Sequence, residues 1–317
     1  MISPGSVIAS ILPVYLLILA GAALRKANIL HREHDNGVMR VIYNVMLPCY
    51  ILDKVLGSQD LRSSSMLMWC MVIGFINVVV GTSIAWFTGR LLGLEKGTGA
   101  RTFALAAGCQ NYGFTAVPVI EILWGASTLG VLFIHNLGVE MAMWSVGVMI
   151  LTGEKGVPWK KLINGPVIAI TIGLILVVLH LDDQVTGPLR KAISLIGVGA
   201  FPLTILITGC TMMDLAVAER PSLKILAGCS LVRFILCPAV ILIAAKYLPL
   251  QDSLKKILIV QAAMPAGMTA IMLARMYGGR PAIAVQIVIA TTVLSVFTLP
   301  WIITWGCQWI KLTPILP

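Results

Sequence analysis

Two polar runs interrupt otherwise apolar stretches of this chain. The first is Gln110-Asn111-Tyr112-Gly113-Phe114-Thr115, with Pro118 just beyond; the second is Gln261, then Met264-Pro265-Ala266-Gly267-Met268-Thr269. Neither run holds a nucleophile beside a base, nor a set of metal ligands. They offer amide and hydroxyl hydrogen bonds together with loosened backbone. Proline removes a backbone donor and clashes with the preceding turn, and glycine lowers the resistance to unwinding. A helix broken there exposes free N–H groups and the positive end of a half-helix dipole, which suit a carboxylate.

The two runs are related. At the offset of 154 positions that carries Pro48 onto Pro202, Gly113 falls on Gly267, Thr115 on Thr269 and Asn111 on Pro265. Gly74 falls on Gly228, Gly125 on Gly279, and Asp60-Leu61 on Asp214-Leu215 at the same offset. The chain is therefore a tandem duplication. A duplicated apolar chain points to a carrier, and interrupted helices at equivalent points of two repeats mark its transport site. The expected substrate site comprises Gln110, Asn111, Tyr112, Gly113, Thr115, Gln261, Met264, Pro265, Gly267 and Thr269, with Pro118 and Pro265 breaking the helices. Asn44, ahead of Pro48, is a further candidate; it either faces the cavity or packs between helices.

Glu140 stands near the middle of another apolar stretch, where an ionised side chain costs at least about 2.5 kcal/mol. Asn136 lies one turn earlier on the same face, with His135 beside it. These three read as a site for a coupling ion, H+ or Na+. The alternative is a carboxyl kept neutral, or paired with Arg233, purely for packing. Glu121, nearer the end of its span, reads as facing an interface. His31 and His34 form HREH and lack HExxH spacing, and the seven cysteines form no CxxC pair. No metal, cofactor or disulfide frame is implied, and no G-x-S-x-G, P-loop or dinucleotide fingerprint is present. An enzyme is not expected.

The elements that must hold these residues follow from composition. The 317 residues are 58% hydrophobic and 11% charged, with a mean hydropathy of +0.95. The charged share is less than half of the roughly 25% that covers a soluble domain. Apolar runs of about 20 residues match a hydrocarbon core of about 30 Å, and lipid demands helices that satisfy their own backbone. The expected fold is an all-α integral membrane protein of ten spans, about 6–24, 36–56, 66–92, 102–124, 127–152, 163–181, 192–213, 223–246, 254–276 and 281–306. Residues 1–153 form a first five-helix repeat, 154–162 a short cytoplasmic linker, and 163–317 a second repeat. An odd number of spans per repeat inverts the second relative to the first. The stretch from Ser6 to Leu24 lacks a basic leader and reads as a retained span.

The net charge of +10 belongs to short loops between spans. It suits anionic headgroups and topology control, with no nucleic-acid partner implied. With the N-terminus outside, the inner loops hold most of the basic residues, among them Arg25, Lys26, Arg90, Arg101, Lys155, Lys160, Lys161 and Arg275. Both termini are expected outside, in the plasma (inner) membrane.

These motifs resemble the auxin efflux carrier family, which includes plant auxin exporters and bacterial malonate and malate permeases. The likeness covers nearly the whole chain: Asn44 to Pro48 with Cys-Tyr-Ile-Leu after it, Asn111-Tyr112-Gly113-Phe114 with Pro118, and Asn136 through Gly147. It continues with Asn164-Gly165-Pro166-Val167-Ile168-Ala169, Ala263-Met264-Pro265-Ala266-Gly267, Ala274-Arg275, Tyr277-Gly278-Gly279 and Thr298-Leu299-Pro300. The resemblance implies broken fourth and ninth helices crossing near the membrane centre, a scaffold group, a moving transport group, and homodimers. Bile acid:sodium symporters share that architecture. Only residues 154–162 stand where plant exporters have a long hydrophilic loop, as in a compact prokaryotic permease. The implied function is a secondary carrier for a small organic anion such as malonate, malate or an auxin-like acid. The alternatives are a sodium-coupled bile-acid or steroid-like symporter and, further off, a membrane-embedded receptor or enzyme.

The orientation is testable by cysteine labelling in intact cells, on a background lacking the native cysteines. A cysteine at Lys160 is expected to stay unlabelled by an impermeant reagent added outside; labelling from outside reverses the topology.

Overall fold

The computed structural model describes residues 4–56, 58, 61, 64–94, 98–153, 164–216 and 222–314. The linker 154–162, with Lys155 and Lys160, and the register residue Asp60 lie outside the described residues. Helix is what lipid permits, because each segment then closes its own backbone hydrogen bonds. In chain order the helices are α1 (Pro4–Lys26), α2 (Arg32–Val41), α3 (Leu47–Val55), α4 (Ser64–Leu91), α5 (Thr98–Gly108), α6 (Ala116–Trp124), α7 (Leu129–Ala142) and α8 (Val148–Thr152). They continue as α9 (Gly165–Val178), α10 (Gly187–Val198), α11 (Ala200–Ala216), α12 (Leu223–Leu231), α13 (Cys237–Tyr247), α14 (Asp252–Ala263), α15 (Thr269–Met276) and α16 (Pro281–Ile310). No strand occurs among the described residues.

Among the described residues, six stretches are long and apolar enough to cross a membrane: Pro4–Lys26, Ser65–Leu91, Ala126–Thr152, Gly187–Asp214, Leu223–Tyr247 and Pro281–Ile310. The shorter apolar helix α9 accompanies them. Leu19, Phe87, Phe297 and Trp301 are exposed on their outer faces. That apolar skin is the surface an integral membrane protein turns towards lipid.

Two of the bends have a visible cause. A wide π turn at Ile42–Met46 joins α2 to α3 just before Pro48, and another at Val232–Leu236 joins α12 to α13 just before Pro238. Proline cannot donate to the carbonyl four residues back, here Asn44 or Phe234, and the wider turn makes room for its ring.

The helices pack in two groups. In one, α1 runs along α11 while α3 rests on α9 and α10; in the other, α4 packs on α5 and α7, and α14 on α13 and α16. Each group has a seam closed by glycines, since lipid offers no hydrophobic gain and close backbone contact takes its place. A Cβ on Gly74 of α4 would sit 2.0 Å from the His135 carbonyl oxygen, and one on Gly138 of α7 would sit 2.0 Å from that of Met71. Gly21 and Gly209 join α1 to α11 at the same distance from Leu206 and Ile18.

Candidate substrate site at two broken helices

Helix α5 stops at Gly108 and the chain turns helical again only at Ala116, where α6 begins; α14 stops at Ala263 and α15 begins at Thr269. The two gaps lie across each other as a short antiparallel bridge between Gln110 and Ala266. Asn111 N donates to the Pro265 carbonyl at 2.7 Å, and Gly267 N donates to that of Cys109 at 3.1 Å. Ala266 N donates to Thr291 Oγ1 of α16 at 3.0 Å. Much of the unwound backbone is thereby satisfied by protein, as the water-poor interior requires. Gly267 allows the approach, because a Cβ there would meet the Gln110 carbonyl at 2.9 Å; at Gly113 a Cβ would meet nothing within 4 Å.

The side chains at the first gap are tied down locally. Asn111 Nδ2 donates to Thr115 Oγ1 at 2.9 Å, and its Oδ1 accepts from Thr115 N at 3.4 Å, so Asn111 closes the entry to α6. The Tyr112 carbonyl accepts from Asn136 Nδ2 at 3.0 Å and from Gln261 Nε2 at 3.3 Å. Tyr112 Oη donates to Glu140 Oε1 at 2.5 Å, and Trp144 Nε1 donates to Glu140 Oε2 at 2.8 Å. Glu140 is therefore held by neutral donors. The expected alternative of a Glu140–Arg233 pair fails. Arg233, wholly buried, instead donates to the carbonyls of Gly108 at 3.1 Å, Met264 at 3.3 Å and Ala107 at 3.5 Å.

A small chamber of about 70 Å³ lies against the crossing. Asn111, Tyr112, Gly113, Gly267, Thr269, Asn136 and Glu140 line it, with Leu47, Phe133 and Phe201 among its apolar wall. It adjoins a wide cavity of about 1300 Å³, because Tyr43, Phe114, Glu140, Pro166 and Thr269 border both. Asn44 lies on the wall of that cavity, where its Nδ2 donates to the Arg40 carbonyl.

The other expected site residues stand elsewhere. Gln110, Gln261, Met264, Pro265 and Thr115 are buried behind the crossing and shape it through backbone and amide bonds. Pro118 falls in the first turn of α6, where its missing N–H breaks no bond, so the gap itself precedes it. His135 is fully buried and turned to α4, with Nε2 3.3 Å from Asn77 Nδ2 and Nδ1 3.4 Å from Asn136 Oδ1. It does not line the chamber.

The profile of the family described as "Membrane transport protein" matches residues 6–157 and again 152–303. The chain belongs to this family, that of the auxin efflux carriers. An uncharacterized transporter of Methanothermobacter thermautotrophicus is 25% identical over 301 residues, 92% of this chain and 95% of that protein. One of Methanocaldococcus jannaschii is 24% identical over 320 residues, 95% of this chain and 98% of that protein.

In this membrane transport protein the chamber is closed on the side opposite the wide cavity. Tyr50 meets Phe201 edge-on at 4.9 Å and Phe133 at 6.2 Å. Beyond the three rings lies a separate vestibule of about 310 Å³, lined by Tyr50, Asp53, Lys54, Pro118 and Glu121 among others. Tyr50 Oη donates to Glu121 Oε2 at 2.6 Å, and Lys54 Nζ lies 3.6 Å from Glu121 Oε1. Arg190 of α10 locks the end of α3, donating to Asp53 Oδ1 at 3.0 Å and to the Leu56 carbonyl at 3.1 Å. Tyr50, Lys54, Phe133 and Phe201 were not among the expected site residues. A tyrosine and an ammonium one turn apart on α3 and a carboxylate on α6 carry no joint spacing signal until the two helices meet.

This closure is testable without a substrate. A single cysteine at Val117, on the chamber wall, is expected to react slowly with a reagent entering from the vestibule. Adding Phe201→Ala is expected to raise that rate by at least about tenfold, the factor that about 1.4 kcal/mol of lost closure gives. An unchanged rate dismisses the rings as a barrier.

Proposed function

We propose that this membrane transport protein is a secondary carrier that moves a small organic anion by alternating access through the chamber at the crossing. One observation carries the reading. The loosened segments leading into α6 and α15 line the same chamber, through Asn111, Tyr112 and Gly113 on one side and Gly267 and Thr269 on the other. Two half-helix N-termini then bring free N–H groups and positive dipole ends to one place, which favours a carboxylate. Leu47, Ile51, Val117 and Ile170 give that place an apolar wall, suited to the carbon skeleton of malonate, malate or an auxin-like acid.

Ten spans in two inverted five-helix repeats belong to this proposal. They are supported by the constant sequence offset and by a break in each half. With both termini outside the plasma membrane, the wide cavity opens to the cell interior and the vestibule faces outward. Glu140 and Asn136 line the chamber and are the proposed ion-coupling pair, with H+ or Na+ as the ion. His135 supports them from the α4 side. A homodimer is the assembly proposed.

The test begins with a thermal-shift screen of dicarboxylates, monocarboxylates and indole acids, followed by uptake into proteoliposomes. Asn111→Ala is expected to lower affinity or turnover at least about tenfold, about 1.4 kcal/mol, with little loss of folded protein. Pro265→Ala is expected to straighten the ninth span and slow exchange between the two open states. Near-normal transport by both variants removes the crossing as the site.

Glu140→Gln keeps the shape and removes the charge change. Transport by this variant is expected to lose its dependence on pH or sodium while substrate binding stays measurable. If the ion dependence matches that of the parent protein, Glu140 serves structure alone.

A further inference from the structure

The crossing has a second face. Helices α5 and α14 both end there, and a helix C-terminus leaves carbonyls without partners and carries the negative end of its dipole. Two such ends meeting at one depth make a carbonyl cluster of the kind that holds an alkali cation in membrane carriers and channels.

Arg233 occupies that cluster. The π turn before Pro238 carries it on the bend between α12 and α13. Its guanidinium, fully buried, reaches both helix ends: the Ala107 and Gly108 carbonyls of α5 through Nη1, and the Met264 carbonyl after α14 through Nε. No carboxylate pairs with it among the described residues, and Nη2 has no partner. A buried charge needs compensation, and here carbonyl dipoles supply it. Arginine suits the role because its charge is permanent and its fork spans several acceptors at once.

We infer that Arg233 is a resident cation that holds the crossing in the place a coupling sodium would take, so the crossing needs no sodium to form. The guanidinium cancels the negative ends of α5 and α14 and leaves the positive ends of α6 and α15 facing the chamber. This last consequence rests on the anion-carrier reading; the resident cation itself does not.

Thermal stability tests it in purified full-length protein, with no substrate present. In a Glu140→Gln background, which removes the chamber carboxyl proposed for ion coupling, the protein is expected to unfold at the same midpoint, within about 1 °C, in sodium, potassium or choline chloride of equal strength. Adding Arg233→Ala empties the cluster. The midpoint is then expected to fall, and to rise saturably by at least about 3 °C with sodium or methylguanidinium but not with choline. Stabilisation of the Glu140→Gln protein by sodium over potassium and choline overturns the proposal. So does a folded Arg233→Ala variant that is indifferent to every cation. Should that variant not fold, Arg233→Lys in the same background keeps the charge and is expected to fold and stay indifferent to sodium; a lysine variant that needs sodium overturns the proposal equally. Because these readouts involve no transport, their failure leaves the Asn111 result to decide the substrate site separately.

Discussion

Backbone that leaves the helix inside a membrane must find its hydrogen bonds in protein, and this constraint governs the centre of the molecule. The segments 109–115 and 264–268 leave the helix at the same place and satisfy each other, through Asn111 N on the Pro265 carbonyl and Gly267 N on that of Cys109. Neither gap is tenable alone. Thr291 takes the Ala266 N–H, and Arg233 donates to carbonyls at both helix ends. Around this knot, positive helix ends lie towards the chamber and negative ones towards the guanidinium.

The two sides of the chamber differ in the same terms. On one, Tyr50, Phe133 and Phe201 fill the space, and Glu121 at the far end of α6 bonds Tyr50 and Lys54. On the other, Arg275 near the end of α15 and Asp214 of α11 border an open cavity. Glu121 and Arg275 share the register that joins Asn111 to Pro265. The ends of two equivalent half-helices thus stand in different surroundings, one engaged and one facing the cavity. Cavity, chamber and vestibule lie between the two packing groups, α1, α3, α9, α10 and α11 on one hand and the broken helices with their neighbours on the other.

Glu140 shows how a mid-membrane carboxyl is tolerated without a counter-charge. Tyr112 and Trp144 each give it one hydrogen bond, and Trp144 lies one turn on along the same span. Tyr112 ties that carboxyl to the crossing, since its own carbonyl is held by Asn136 and Gln261. Glu140 is thus one hydrogen bond from the gap between α5 and α6, in which Tyr112 itself lies. That linkage gives the proposed ion coupling a physical path.

Much of this was legible in the amino-acid sequence. Hydropathy dictates helices in lipid, and proline and glycine in polar company mark where they break, because those effects are local and survive without a partner. The constant offset told that the two breaks are equivalent, and it drew attention to Asn111 opposite Pro265. What remained hidden depends on contacts between residues far apart in the chain. Sequence alone left Glu140 open to a pairing with Arg233, and only the packed helices decide that one bonds aromatic donors while the other caps carbonyls. It placed His135 beside Glu140, yet helical rotation turns that ring to Asn77 on the opposite side. It gave no sign that Tyr50, Lys54 and Glu121 close one mouth of the chamber, since two helices far apart in the chain acquire that relation only when α3 and α6 come together. Periodicity and backbone chemistry are written along the chain; which side chains face one another is set by how the helices pack.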